Sequence, residues 1–299
     1  MQTSRVLAIH DISGVGRCSL TVALPVLSAA GIECAVLPTA VLSTHTGEFE
    51  GYTFRDLTDD IMPMAQHWAQ LGLHFDAIYT GYLGSIEQVE LIKQVIQLLS
   101  SDDTLVVVDP VMADEGVLYP GFSAEYPTQM LSLCALADVI VPNLTEAALL
   151  LGRDYDPNPS AADIESLLQE LCVTTGAKAS VLTGVSLQAG QLGAACYLGD
   201  CADDRGTPAD SFSYAAAPHT AGMYHGSGDL FSSALVAGLV TGRMTAQMNG
   251  QTLAHSLKQA VDFTAQSIQR THAAGTKTKY GLLFEAGLAQ FGAQFVEQC

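Results

Sequence analysis

The stretch His225-Gly226-Ser227-Gly228-Asp229 carries the residue types in this chain best suited to chemistry. It runs into Leu230-Phe231-Ser232-Ser233-Ala234-Leu235-Val236-Ala237, small and apolar residues that predict a helix starting at the glycines. The first N–H groups of a helix have no partner inside it and point outward. Two glycines clear side-chain bulk from those donors, so a phosphoryl group can approach, and the helix dipole favours its charge. Asp229 then stands beside the anion, placed to take a proton from an attacking hydroxyl, while His225 either touches the same anion or only makes a helix-entry contact. The plainer reading is a helix capped by Ser227 or Asp229 behind a glycine turn.

The elements that must position these groups follow from the hydrophobic pattern. Strands are expected over 5–10, 34–38, 76–80, 104–108, 138–141 and 179–183. Helices are expected up to about 30 and over 57–71, 86–99, 144–151, 160–174 and 252–271, besides the one from 229. The run over 104–108 is nearly all β-branched or aliphatic, as in a strand buried on both faces of a parallel sheet. Two further extended stretches, 194–198 and 212–217, flank a polar turn at Asp203-Asp204-Arg205-Gly206 and read as an antiparallel edge pair. Alternating strands and helices predict an α/β fold, a mostly parallel central sheet flanked by helices on both faces. No linker, repeat or composition shift divides the chain, so one domain over 1–299 is expected. In such sheets ligands bind beyond the carboxyl ends of the strands. Asp11, Tyr82, Asp109, Asn143, Thr183 and, after an intervening segment, Asp229 all follow expected strands.

Each cluster carries two readings. Asp109, before Pro110, is either a turn cap or a metal-facing carboxylate. Asn143 and Glu146 are either a helix N-cap with an acidic first turn or further ligands; Asp109 and Glu146 together suit magnesium, which takes one or two hard oxygens and keeps waters. Tyr82, in Gly81-Tyr82-Leu83-Gly84, either packs over a turn or borders a ring-shaped ligand. His45 and Thr46 lie in a loop whose chemistry alone assigns nothing. Asp11-Ile12-Ser13-Gly14-Val15-Gly16 is glycine-rich after a strand, but lacks the third glycine of a dinucleotide fingerprint. Walker, Gly-x-Ser-x-Gly and His-Glu-x-x-His motifs are absent from the sequence.

Composition bounds the partners. Of 299 residues, 48% are hydrophobic and 14% charged, ample for a core and unlike a disordered chain. The net charge of −19, with 12 Lys and Arg, argues against nucleic acid and anionic membranes, and leaves phosphates to backbone donors and a divalent metal. Seven scattered cysteines, with no Cys-x-x-Cys pair, suggest neither disulfides nor zinc and are expected as small core residues. The N-terminus shows no secretory signal, and no apolar run approaches the roughly 20 residues of a membrane span, so a soluble cytoplasmic protein is expected.

Five motifs in order resemble the ribokinase-like superfamily, and within it the vitamin B6 kinases that act on pyridoxal or pyridoxamine. They are Ser43-Thr44-His45-Thr46-Gly47, Thr80-Gly81-Tyr82-Leu83-Gly84-Ser85, Val108-Asp109-Pro110-Val111-Met112, Pro142-Asn143-Leu144-Thr145-Glu146 and Gly226-Ser227-Gly228-Asp229. The resemblance implies ATP-dependent phosphorylation of a B6 vitamer's 5′-hydroxymethyl group, with Mg²⁺ as the expected cofactor, K⁺ as a candidate second ion and a homodimer as the expected assembly. It makes Asp229 the base and Gly226, Ser227 and Gly228 the anion hole; Asp109, Asn143 and Glu146 fall in the Mg-ATP region, and Asp114 near a monovalent cation. Thr183 matches a nucleotide-side residue. His45, Thr46 and Tyr82 match the wall of the pyridine site, and Tyr119 lies in the covering loop. The N-terminal stretch departs from this pattern. Asp11 and Ser13, in Asp11-Ile12-Ser13-Gly14-Val15-Gly16, resemble the substrate-side loop of hydroxymethylpyrimidine (phosphate) kinases, which keeps that substrate as the alternative. A non-catalytic holder of pyridoxal phosphate is the third reading, though a pure binder has no need of Asp229.

Overall fold

The computed structural model describes residues 3–199, 212–242 and 250–296. Its strands are β1 (Arg5–Val15), β2 (Glu33–Thr44), β3 (Phe54–Asp56), β4 (Ala77–Thr80), β5 (Leu105–Val108), β6 (Ala113–Asp114), β7 (Val117–Leu118), β8 (Val139–Ile140), β9 (Ala179–Val185), β10 (Gln191–Leu198) and β11 (Phe212–Pro218). The helices are α1 (Leu20–Ala29), α2 (Thr58–Gln70), α3 (Ile86–Leu99), α4 (Tyr126–Cys134), α5 (Leu144–Leu151), α6 (Ala161–Thr175), α7 (Ser227–Thr241), α8 (Gly250–Ala273) and α9 (Leu288–Val296).

A nine-stranded sheet runs in the order β11-β10-β9-β8-β5-β4-β1-β2-β3. The pairs from β9 through β2 are parallel, and β10, β11 and β3 join antiparallel at the two edges. This is the expected α/β architecture, including the antiparallel pair; the turn at Asp203–Gly206 lies outside the described residues. Alternation along β1 explains the two-sided core: Val6 and Ala8 face α1, α7, α8 and α9, while Leu7 and Ile9 face α2 through α6. Every residue of β4 and β5 is buried, as the apolar run over 104–108 predicts. Cys18, Cys134, Cys172 and Cys196 are buried and Cys34 half-buried, all with free thiols; Cys201 and Cys299 lie outside the described residues.

Two features differ from the sequence reading. β1 does not end at His10 but continues to Val15, and β2 continues past Pro38 to Thr44. A register shift between His10 and Ile12 lets the pairing resume with Ile12 opposite Val41 and Ser13 opposite Leu42, so Asp11 sits at a bulge within a strand rather than in a loop. The glycine- and proline-containing segment over 113–122, where no strand is expected, also begins with a hairpin, β6 against β7.

The chain leaves β1 to build β2 on one side and later β4 on the other. That reversal makes the crevice beyond the ends of β1 and β4 the topological switch point, the ordinary place for a ligand in such sheets.

Candidate active site

Helix α7 points its N-terminus into this crevice region. Gly226 is its N-cap with φ 75°, and no side chain caps the helix, so neither Ser227 nor Asp229 plays the capping role of the plainer reading. The conformation demands glycine twice over: the φ is left-handed, and a Cβ there would overlap the Arg17 carbonyl oxygen. The N–H of Ser227 reaches Tyr224 O at 3.3 Å, and those of Gly228 and Asp229 have no acceptor among the described residues. Gly228 is exposed, with open space where a side chain would stand. The result is a pair of outward donors at a positive helix end, suited to an anion.

Three carboxylates gather behind it. Burial pushes Asp229 up to about 6, and the Ser19 backbone N–H holds it from rising further. Asp109, at the end of β5 and 6% exposed, accepts a 2.7 Å hydrogen bond from Ser232 of α7. Burial raises it to about 7 against that bond, and the charge of Asp229 adds to the rise. Glu146 is raised well above the usual range by burial and by Asp109. Its carboxylate also has structural work. It closes a capping box with Asn143 at the start of α5 and accepts the Met112 N–H at 3.0 Å. Asn143 donates to Ala113 O at 2.8 Å, and Thr183 stands beside it through an isolated parallel bridge. The N-cap reading of Asn143 and Glu146 therefore holds, and Glu146 also lies within the field of Asp109.

Asp109 and Glu146 fit magnesium as a donor set. They are hard oxygen groups, both buried, and the charge of Asp109 favours the protonated form of Glu146 unless a cation intervenes. No group of three or more His, Cys, Asp or Glu in metal-holding arrangement occurs among the described residues, so such an ion would rest largely on phosphate oxygens and water. Asp114 is exposed on the β6–β7 hairpin, its Oδ1 accepting the Glu115 N–H. Tyr119 follows the β6–β7 hairpin and lies in the field of the acids. Burial raises its hydroxyl, and Glu146, Asp114, Asp109 and Asp229 all add to the rise.

The opposite wall is built from β1 and β4. Asp11 is 5% exposed and raised by burial, against hydrogen bonds from Ser19 and Ser13. Ser13, fully buried, donates to Asp11 at 3.2 Å, so it supports the acid rather than facing a ligand. Tyr82 is pushed up to about 12, chiefly by burial and then by Asp11, and its ring leans on Phe122 at 5.7 Å. His45 is committed to backbone: Nδ1 accepts the Gly47 N–H at 3.1 Å, which leaves Nε2 to donate to Lys279 O at 2.6 Å. Burial lowers its pKa, in keeping with a neutral ring. His225 lies 4.9 Å from that ring and bonds Glu48 at 2.9 Å, so its contacts are with the 45–48 loop. Thr46 is exposed in the same loop. Ser19 and Ser232 are the groups that the sequence reading passes over; only the second has a visible signal, a polar residue three positions after Asp229 in an apolar helix.

Comparison with known proteins gives consistent kinship. The family model for phosphomethylpyrimidine kinase matches residues 24–282. A Bacteroides thetaiotaomicron protein provisionally assigned as a phosphomethylpyrimidine kinase is 34% identical in a rhombohedral crystal form, covering 97% of this chain and 94% of its own, with a TM-score of 0.87. Its orthorhombic form, with pyridoxal, gives 0.86 at 33% identity, covering 97% and 96%. Pyridoxal kinase from Lactobacillus plantarum is 34% identical over 98% of each chain, with a TM-score of 0.83. A pyridoxal kinase of Photobacterium profundum is 29% identical over 80% of each sequence. Among the described residues no helix is long and apolar enough to cross a membrane.

Proposed function

This chain belongs to the phosphomethylpyrimidine kinase family and is a ribokinase-like enzyme that transfers phosphoryl from ATP to a hydroxyl group, and from that premise we propose that its acceptor is the hydroxymethyl arm of a six-membered nitrogen heteroaromatic ring. The first candidate is hydroxymethylpyrimidine or its phosphate. The family match over 24–282 carries this choice, and the likeness of the Asp11–Gly16 stretch to that family's substrate loop supports it. It places the pyrimidine ahead of the B6 vitamer that the motifs alone rank first. A B6 vitamer is the second reading, favoured by the 34% identity to the L. plantarum pyridoxal kinase and by the relative that crystallised with pyridoxal.

In this proposal residues 1–299 work as one kinase domain. The N–H groups of Gly228 and Asp229 receive the transferring phosphoryl oxygens, preorganised donors of a kind worth about 3–4 kcal/mol each when important. Asp229 orients the acceptor hydroxyl and takes its proton; held near 6, it is ionised at neutral pH yet more basic than an ordinary aspartate. Asp109 and Glu146 would hold Mg²⁺, which when bound offsets phosphate charge. Thr183 and Asn143 border the nucleotide, Asp11 and Tyr82 flank the ring, and Tyr119 excludes water from above the acids. His45 and His225 shape the substrate loop.

The test is ATP consumption by the purified protein with Mg²⁺ and K⁺ against hydroxymethylpyrimidine, its phosphate, pyridoxal, pyridoxamine, pyridoxine and ribose. Preference for a pyrimidine is the expected result. Preference for a B6 vitamer selects the second reading, and turnover of ribose alone overturns both.

A further inference from the structure

Gln88, in the first turn of α3, is a glutamine with no exposed surface. Glutamine is seldom so deeply buried, and a buried amide is tolerated when its donors and acceptor are met. Here they are. Oε1 accepts the Gly84 N–H at 2.8 Å. Nε2 donates to Thr39 O on β2 at 3.0 Å, to Thr58 Oγ1 at the start of α2 at 3.1 Å and to Asp56 Oδ2 on β3 at 3.3 Å. The Gly84 N–H can only donate and Thr39 O can only accept, so the amide has a single orientation. Its backbone is fixed as well, the N–H bonding Ser85 Oγ at 3.1 Å. One side chain therefore joins the turn after β4 to both strands of the β2–β3 hairpin and to the helix that follows it.

Those pieces of backbone carry the acceptor wall. The Gly81–Gly84 turn presents Tyr82, and the β2–β3 hairpin presents His45 and Thr46. The remaining bonds of the turn are consistent with a fixed position. Leu83 O accepts the Tyr126 hydroxyl at 2.6 Å, and Tyr126 stacks at 3.9 Å on Phe122, the ring that Tyr82 leans on. Tyr82 O accepts the Thr39 hydroxyl at 3.4 Å, and Gln88 in turn holds the Thr39 carbonyl. At its other end the turn is stopped by packing: Gly81 lies so close to the fully buried His10 ring that any Cβ there would overlap it. We propose that Gln88 is a positioning residue that clamps the Tyr82 turn to the β2–β3 hairpin and so sets the width of the slot for the acceptor ring. The proposal rests on the kinase reading above, in which Tyr82 flanks that ring.

Gln88→Met keeps the length of the side chain and removes every bond of the amide. Steady-state kinetics with the acceptor alcohol that the wild-type enzyme phosphorylates should show its KM raised about tenfold, with the KM for ATP within about twofold of wild type. A merely structural role would lower the active fraction, and with it kcat, and leave both KM values in place. Asp56→Ala combined with Thr58→Val removes two acceptors of the amide from residues that are exposed and half-buried, so this pair is expected to fold. It should raise the acceptor KM about threefold in the wild type and less than about 1.5-fold in the Gln88→Met background, because both residues act through the amide. An unchanged acceptor KM in Gln88→Met, or equal effects of the pair in the two backgrounds, overturns the proposal. If Gln88→Met does not fold, the pair alone decides, and an unchanged acceptor KM there overturns it. The clamp is also read without substrate. Amide hydrogen exchange at Gly84 should speed at least about tenfold in Gln88→Met while Val95 and Ile96 of α3 keep their rates, and an unchanged rate at Gly84 overturns the clamp. A wild-type protein inactive on every ring alcohol refutes the substrate reading instead, and the exchange measurement then decides the role of Gln88.

Discussion

Asp229 owes its proposed role to two opposed influences on one carboxyl group. Burial drives it toward the neutral acid and the Ser19 N–H draws it back, leaving it near 6. A base for an alcohol gains from the first and must stay ionised, which the second secures. Replacing Asp229 by Asn keeps the shape and removes the base. Turnover should fall at least about 100-fold while ATP affinity holds, and wild-type turnover in that variant would end the assignment. The sign of the pH dependence follows from the same group. Wild-type kcat should climb as pH rises through about 6, and the limb should vanish from the residual activity of Asp229→Asn.

At the scale of elements, the start of α7 shows why two glycines of like φ are not alike. Gly226 and Gly184 both adopt left-handed conformations, with φ 75° and 76°. A methyl group at 226 meets the Arg17 carbonyl, whereas the space beside 184 is open. Gly184→Ala should therefore cost about 1 kcal/mol, the left-handed penalty alone, and Gly226→Ala more than about 2 kcal/mol, with turnover lost as well. Denaturant midpoints for the pair test this; equal costs would refute the clash. The elements that position the site were legible to differing depth. Leu105-Val106-Val107-Val108 declares β5 because a strand buried on both faces admits only such residues. The continuation of β1 is hidden because pairing with β4 stops at Ile9, so Asp11-Ile12-Ser13-Gly14 is ordered by β2 alone and carries polar residues and a glycine. β3, three exposed residues, has no apolar pattern to read. Ser19 draws no reading from the sequence, since residue type does not disclose its φ of 50°. The acids themselves were visible; the link from Ser232 to Asp109 was not, because it joins elements distant in sequence.

For the whole molecule, buried acid in a chain of net charge −19 sets the response to pH. Asp109 and Asp229 have folded pKa values of about 7 and about 6, raised from 3.8. The folded state thus binds more protons than the unfolded chain between those limits, so this contribution is full below about 4 and is lost as pH rises through 6 and 7. The Tm of the nucleotide-free protein should fall between pH 5 and 8, and Asp109→Asn should flatten the slope; a rising Tm would contradict the assignment of buried, uncompensated acid. The arrangement of the core has a bearing on biosynthesis. One face of the sheet is sealed by α1 together with α7 and α8, through residues such as Leu230, Leu235, Leu253 and Leu257. As the chain leaves the ribosome, the strands from β1 to β9 emerge before residue 227, with α1 as their partial cover. That apolar face stays adhesive until the last quarter of the polypeptide arrives, a window in which chaperones or aggregation compete for it. Asp229 comes with α7, the first of the late helices that close this face, so the acid proposed to act on substrate and the cover that quiets the chain arrive in the same final stretch of synthesis.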